Sequence, residues 1–398
     1  MKDIDLAIIV FSDLNSSSGG VETWLNLFLE EINLNRDQYN NGTIHIYHYE
    51  RAYLKNPVGA DLDFVKLHPL KIDMEVKGLL GNLITLYKFH SFAIKHLKAN
   101  QEVIPFTISI GSYPSGIFDW VILKLLCFRK KTKHIIWLRT TLKKYIKTHQ
   151  SRIFSRSILW LEQKALKDAD IIISNGWDTR VNYLEDYNIN SVVIPNAIKL
   201  ERYQNSKSLS ALSEPVKIAF IGRFFENKGI FNFVEAIRIF NISYPDLIDR
   251  VKFVFIGWGE ESVETFASET KNCDFIGKVA NEKMLTYLDD IFCGVALTKF
   301  SDDEAGGSGV SNALLELMGS GRAIIAYDNP IFRQFPDADF MIYSPENDDA
   351  ELAANFAKLV LNKDMYIVNG TKAREYSQSF SISSHVNSFF KLLNENMK

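Results

Sequence analysis

The chain has 398 residues, too many for one ordinary core, and its 46% hydrophobic and 23% charged content is typical of a folded globular protein. The formal net charge of -3 argues against a general nucleic-acid binder, and we predict no nucleic-acid partner. The three cysteines (Cys127, Cys273 and Cys293) have no paired spacing, which argues against a disulfide framework or a zinc site and fits a reducing compartment.

Short apolar runs alternate with helical patterns in the first half of the chain. Residues 21–32 carry apolar side chains at spacings of three and four, which predicts a helix with one buried face. The predicted strands of this half are LAIIVF (6–11), IHIYHY (44–49), FTISIG (106–111), HIIWLR (134–139), DIIISN (170–175) and SVVIP (191–195).

The second half repeats this alternation. Its predicted strands are KIAFIG (217–222), KFVFIG (252–257), DFIG (274–277), GVALTK (294–299), AIIAYD (323–328) and FMIYS (340–344). Strands that are continuously apolar and separated by helices are typical of parallel sheets covered on both faces, so we predict two doubly wound α/β domains. The predicted boundaries are a first domain at 1–198, a polar linker at 199–214, a second domain at 215–375 and a terminal helix at 376–398.

Glycines follow several predicted strands, at the edge where parallel sheets bind ligands. The clearest case is IGRFFENKG (221–229), in which Gly222 is followed by Arg223 and Lys228. A guanidinium fork, an ammonium group and free backbone N–H groups suit a diphosphate, and we expect one to be held between the two domains. The competing interpretation is that these glycines serve packing alone and that both cations are ordinary surface residues.

Several stretches together resemble GT-B-fold retaining glycosyltransferases of family 4. In order they are VIPNAI (193–198), IGRFFENKGI (221–230), FVFIGWGEE (253–261), FIGKV (275–279) and SNALLELMGSGRAIIAYD (311–328). The stretch GGVETWLNLFLEEI resembles the first glycine loop and helix of that family. The resemblance implies two Rossmann-like domains facing each other across a cleft, the first for the acceptor and the second for a nucleotide sugar. It also implies that the last helix returns to the first domain.

The resemblance implies roles for individual residues. Arg223 and Lys228 match the cations that bind the donor diphosphate and stabilise the leaving group, and Glu316 matches the glutamate that binds the ribose. The other implied donor-binding residues are Gly19, Gly20, Gly222, Gly257, Lys278, Val279, Ser308, Gly309 and Asn312.

The sequence departs from the family pattern at two places. Ser308 stands where a second glutamate often contacts the sugar, so either Ser308 or Glu304 takes that contact. Arg139, the last residue of HIIWLR, stands where the family often has a histidine, which suggests either an unusual acceptor or donor contact or a shifted match of this strand.

The predicted reaction is transfer of a hexosyl or related group, with retention, from a nucleotide-diphosphate sugar to a glycan or polyprenyl-diphosphate-linked acceptor in cell-surface polysaccharide assembly. No cofactor is expected. The acidic run at 302–304 offers hard oxygen ligands, but a solvated loop is the preferred interpretation and no metal site is predicted. The alternatives are a nucleotide-sugar epimerase of the same fold and a non-catalytic nucleotide-binding partner subunit.

Residues 120–161 contain many lysines and arginines interleaved with apolar residues. This pattern suggests docking on an anionic membrane through the basic region 124–156. Direct binding of an anionic acceptor, or a solvated basic face, would give the same pattern. The short apolar run after two aspartates at the N-terminus is not typical of a signal peptide. The expected location is therefore the cytoplasm, with a peripheral position on the inner face of the plasma membrane left open.

Overall fold

The structure is a computed structural model, and its backbone divides the chain into two compact units. The first unit comprises Met1–Asn196 together with Ile382–Lys398, and the second comprises Ala197–Ser381. The structure describes residues 3–14, 20–50, 57–71, 79–99, 104–125, 132–143, 146, 152–280, 283–300 and 310–397.

The first unit is built on a seven-stranded sheet in the order β3-β2-β1-β4-β5-β6-β7, and all of its pairings are parallel. Buried apolar side chains run almost unbroken along the central strands, as expected when helices cover both faces. The strands are β1 (Leu6–Asp13), β2 (Ile44–Glu50), β3 (Val65–Lys71), β4 (Phe106–Ile110), β5 (Lys133–Leu138), β6 (Ile171–Ser174) and β7 (Val192–Val193).

Within the described residues, six named helices of this unit precede its boundary at Asn196. They are α1 (Gly20–Leu34), α2 (Arg36–Tyr39), α3 (Leu79–Ala99), α4 (Ile117–Leu125), α5 (Arg152–Asp168) and α6 (Trp177–Tyr187). The apolar face predicted for residues 21–32 is confirmed, since Trp24, Leu25, Phe28, Leu29 and Ile32 are buried on α1.

The second unit has a six-stranded sheet in the order β10-β9-β8-β11-β12-β13, again with parallel pairings. The long central strands β8 and β9 pair over nine residues, from Val216 opposite Val251 to Phe224 opposite Gly259. The strands are β8 (Val216–Phe224), β9 (Val251–Gly259), β10 (Cys273–Gly277), β11 (Cys293–Ala296), β12 (Ala323–Asp328) and β13 (Met341–Pro345).

Helices connect these strands in the usual crossover manner. They are α7 (Ile230–Ser243), α8 (Glu261–Glu269), α9 (Met284–Leu288), α10 (Asn312–Gly319), α11 (Pro330–Arg333), α12 (Asp349–Leu361) and α13 (Lys363–Ser377). Two doubly wound α/β units were predicted, and the two parallel sheets confirm this fold class.

The stretch 199–214, predicted as a linker, is packed into the second unit. Tyr203 and Leu209 are buried there. Arg374 on α13 donates to the carbonyl oxygens of Tyr203 at 2.6 Å and Gln204 at 2.8 Å. Hydrogen bonds from the half-buried Arg374 therefore hold this segment, even though its polar composition suggested a loose connection.

The last helix, α14 (Ile382–Glu395), is part of the first unit. Its Phe389 packs edge-on against Phe28 of α1 and stacks on Trp137 of β5. His385 accepts a hydrogen bond from the Trp24 indole N–H at 2.9 Å, and its other ring nitrogen lies 2.7 Å from the carbonyl oxygen of Pro195. The chain thus crosses between the units twice, near residues 196 and 381. Within the described residues, no helix is long and apolar enough to span a bilayer.

Candidate functional site

The glycine-rich corner after β8 places two cations at the carboxyl edge of the second sheet. Gly222 has φ +145°, outside the range that side-chain-bearing residues favour, and Arg223 follows at an exposed position. Gly222 lies opposite Gly257 on β9, and a Cβ on Gly257 would lie 1.7 Å from the carbonyl oxygen of Gly222. Glycine at 257 lets the two strand ends approach, and the positive φ of Gly222 turns the backbone into the loop that carries Arg223.

Gly229 closes this loop. It adopts φ +75°, and a Cβ there would lie 2.3 Å from the carbonyl oxygen of Leu297, which follows β11. A single turn of 3-10 helix, Glu226–Lys228, connects the strand to Gly229, and α7 begins immediately afterwards. Close packing on the neighbouring strand end therefore fixes the position of Lys228.

Arg223 and Lys228 form a pair of neighbouring positive charges. Burial, together with the charge of Arg223, lowers the pKa of Lys228 to about 8. The Arg223 guanidinium lies 5.4 Å from the centre of the Phe225 ring. Neither side chain makes a hydrogen bond or ion pair within the part of the chain that the structure describes. Other cations of this unit do find carboxylates, for example Arg250 with Glu214 at 2.7 Å and Lys271 with Asp249 at 2.7 Å.

Glu316 is buried on the first turns of α10. Burial raises the pKa of its carboxyl to about 7, and the positive charge of Arg202 opposes that rise. Burial, and after it the charge of the Glu316 carboxylate, raises the pKa of Tyr203. A carboxyl group with a pKa near neutrality offers two oxygens to a ligand with hydroxyl groups, and its position on a packed helix restrains its orientation.

The N-terminus of α10 is exposed beside this carboxyl group. Ser311 caps the helix by accepting from the N–H of Leu314 at 3.2 Å, while Ser311 and Asn312 are solvent-exposed. Because α10 follows β11, its N-terminus lies toward the same edge of the parallel sheet as the corner after β8. A helix start of this kind favours anions.

Residues 215–362 match the family model for glycosyl transferases group 1. The matched segment lies within the second unit. Over 332 residues the chain is 23% identical to an uncharacterized glycosyltransferase of Methanocaldococcus jannaschii, covering 79% of this chain and 71% of that protein.

Solved structures show that the whole chain has the GT-B fold. Sucrose-phosphate synthase from Thermosynechococcus elongatus superposes with a TM-score of 0.74 at 16% identity, covering 99% of both chains. Anabaena HepE, solved in complex with UDP and glucose, gives a TM-score of 0.67 at 13% identity and covers 98% of this chain and 99% of its own.

Within residues 215–362, several predicted residues lie at the carboxyl edge of one sheet. Gly222, Arg223 and Lys228 follow β8, Gly257 is on β9, and the exposed Lys278 and half-buried Val279 follow β10. Asn312 and Glu316 are on α10.

Other predicted residues fall elsewhere. Gly20 is the first residue of α1 in the first unit. Gly19, Ser308, Gly309 and the alternative Glu304 lie outside the described residues. So does the acidic run 302–304, and no group of three or more potential metal ligands occurs in the described part of the chain.

Sequence reasoning missed four neighbours of these residues. Arg202 and Tyr203 lie beside Glu316 but were assigned to the linker. Phe225 and Trp258 place an edge-on aromatic pair, with ring centres 6.0 Å apart, next to Arg223. The register that sets Trp258 opposite Arg223 was available only once β8 and β9 were known to pair.

The basic region 124–156 is described only in part. Of its described cations, Lys124 pairs with Asp168 at 2.8 Å and Lys143 pairs with Asp186. These two lysines are therefore compensated within the unit, and membrane docking through this region stays a prediction.

Proposed function

We propose that the protein is a retaining glycosyltransferase that moves a sugar from a nucleotide-diphosphate sugar to a glycan or lipid-linked acceptor in cell-surface polysaccharide assembly. The observation that carries the proposal is the pair of neighbouring cations, Arg223 and Lys228, that have no carboxylate partner in the described part of the chain. Holding two like charges together is unfavourable unless an anion compensates them. Solved complexes of HepE with UDP and with UDP-glucose support a nucleotide sugar as the source of that anion.

The chemistry requires stabilisation of a leaving group. When the bond between the anomeric carbon and the β-phosphate oxygen breaks, negative charge develops on the diphosphate. Arg223, Lys228 and the N–H groups at the start of α10 would stabilise that charge, because preorganised donors act most strongly on charge that appears in the transition state. The ionised Glu316 would accept hydrogen bonds from the two ribose hydroxyls and hold the nucleotide in place.

Retention follows if the acceptor attacks the face from which the diphosphate departs. The acceptor hydroxyl oxygen forms the new bond to the anomeric carbon, and its proton passes to the departing phosphate oxygen. This route uses no carboxylate nucleophile, so the protein supplies binding and charge stabilisation rather than a covalent intermediate.

A thermal-shift screen with UDP-, GDP-, dTDP- and CMP-sugars tests the donor class. A donor at a hundredfold excess over its dissociation constant should add about 2.7 kcal/mol to the free energy of unfolding. NMR of the product should show the anomeric configuration of the donor unchanged. Absence of a shift with every nucleotide sugar would refute the proposal, and an inverted product would refute retention.

The shifted pKa values of Glu316 and Lys228 predict a narrow pH optimum for kcat/KM. Activity should rise as Glu316 ionises near its pKa of about 7 and fall as Lys228 loses its proton near its pKa of about 8, because kcat/KM reports the free enzyme. Initial rates between pH 5 and 10 measure the profile. Glu316→Gln should abolish the acidic limb and keep the basic one, so an acidic limb that persists in this variant would contradict the assignment.

A further inference from the structure

Arg139 directly follows β5, at the carboxyl edge of the sheet in the first unit. Its guanidinium carbon lies 5.0 Å from the centre of the Trp24 ring on α1. The Nη1 atom is shielded from solvent and has no hydrogen-bond partner. The side chain makes no ion pair or hydrogen bond among the residues for which positions are given. Arg139 as a whole is half-buried, and a guanidinium that is partly shielded from water with no counter-charge among the described residues is unfavourable, which makes this arrangement unusual.

The described residues around Arg139 do not supply a negative charge. Burial alone lowers the pKa of Arg139 to about 10, so the group stays positively charged at neutral pH. The nearby His385 is neutral, because burial lowers its pKa to about 4. The hydrogen bond to the Pro195 carbonyl oxygen opposes this lowering of the pKa, and the positive charge of Arg139 adds to it. Trp24 offers only the face of its ring.

The backbone at Arg139 is held firmly. Asn175, which follows β6, donates from its side-chain amide to the Arg139 carbonyl oxygen at 3.0 Å. Thr179 on α6 lies 3.3 Å from the amide oxygen of Asn175 and orients it. Ligands of open parallel sheets bind at this edge, and Arg139 is therefore fixed where a ligand would arrive.

We propose that Arg139 binds a phosphate group of the acceptor, so that the acceptor is itself anionic; this inference rests on the proposed function. A guanidinium with no partner presents a planar set of N–H donors that matches two phosphate oxygens at once. Because the Trp24 ring lies against one face of the guanidinium, the phosphate would contact the edge of the guanidinium, where the N–H donors are. The phosphate can belong to a lipid-linked diphosphate or to a sugar phosphate, because both present the same group.

Calorimetric titration of the full-length protein with sodium diphosphate, sodium phosphate and sodium acetate tests the inference. The measurement uses the background Arg223→Ala/Lys228→Met, which removes the cations assigned to the donor. In this background, Arg139→Met should weaken diphosphate binding at least tenfold. The matched control Arg180→Met changes an exposed arginine of α6 that bonds Asn190 at 3.0 Å, and it should leave binding unchanged.

A stronger response to diphosphate than to phosphate would indicate a lipid diphosphate, and equal responses a sugar phosphate. Diphosphate affinity that is unchanged by Arg139→Met, or acetate binding as tight as phosphate binding, would overturn the inference. The melting temperature of Arg139→Met should be equal to or above that of its parent. A lower melting temperature of Arg139→Met together with unchanged diphosphate affinity would show that Arg139 has a structural role instead.

The UDP-induced thermal shift separates this inference from the proposed function. With Arg223 and Lys228 intact, Arg139→Met should keep the shift of the wild type. If UDP stabilises no variant, the proposed donor site fails, while the diphosphate titration still reports on Arg139.

Discussion

Replacing Arg223 by alanine should lower kcat/KM by a factor of about 10² to 10³, because removing one preorganised donor typically loses about 3–4 kcal/mol of transition-state stabilisation. The side chain is exposed and makes no hydrogen bond among the described residues, so the fold should be unaffected. Initial rates with the donor found in the thermal-shift screen, together with a melting curve, measure both quantities.

Lys228→Met should give a similar loss of activity with a gain in stability. The pKa of Lys228 is lowered from 10.5 to about 8 by burial and by Arg223, which means that folding disfavours the protonated form. The unfolded chain binds more protons between these two values, so the stability of the wild type should rise as pH increases from about 8 to 10.5. The Lys228→Met variant should lack that rise, because methionine has no proton to lose in this pH range.

Two paired cations of the same unit provide controls. Arg250→Ala and Lys271→Ala each remove one partner of an exposed ion pair and should change both activity and stability little. Should Arg223→Ala retain wild-type kcat/KM, or should Lys228→Met unfold at a clearly lower temperature, the two cations would not form the proposed diphosphate site.

The strands were predictable because burial on both faces leaves a simple apolar signal. Each predicted run contains a strand. The strand β3 was not predicted, because its sequence is not continuously apolar. It lies at the sheet edge, is only partly buried and contains Lys66, His68 and Pro69. Edge strands face solvent on one side, so their sequences lose the continuous apolar character on which the prediction depends.

The candidate site could be proposed from spacing only where its residues are close in sequence. Spacing alone indicated the corner with Gly222, Arg223 and Lys228. Glu316 has no distinctive local signal, and its role was implied by resemblance. The environment of Arg139 depends on α1, β5 and α14, which come together only in the folded unit. Shielding from solvent and the lack of a counter-charge among the described residues depend on the folded structure, so the sequence indicated the unusual residue but not its surroundings.

Gly257→Ala should destabilise the protein by at least about 3 kcal/mol, because two separate effects add. The residue has φ +151°, where a side chain strains the backbone by about 1–3 kcal/mol. Its Cβ would also lie 1.7 Å from the carbonyl oxygen of Gly222, so β8 and β9 would have to separate at the corner that carries Arg223. Urea unfolding followed by circular dichroism measures the loss.

Gly222→Ala separates the two effects. Gly222 has a similar φ of +145°, but a Cβ there would meet nothing within 4 Å, so only the backbone strain of about 1–3 kcal/mol should appear. Gly20→Ala has neither positive φ nor a close neighbour, and it should change stability by less than about 0.5 kcal/mol. Equal losses at 222 and 257 would mean that backbone conformation alone demands glycine at the corner. A larger loss of stability for Gly257→Ala would mean that the close approach of β8 and β9 requires a residue without a side chain at 257. That approach fixes the loop carrying both cations.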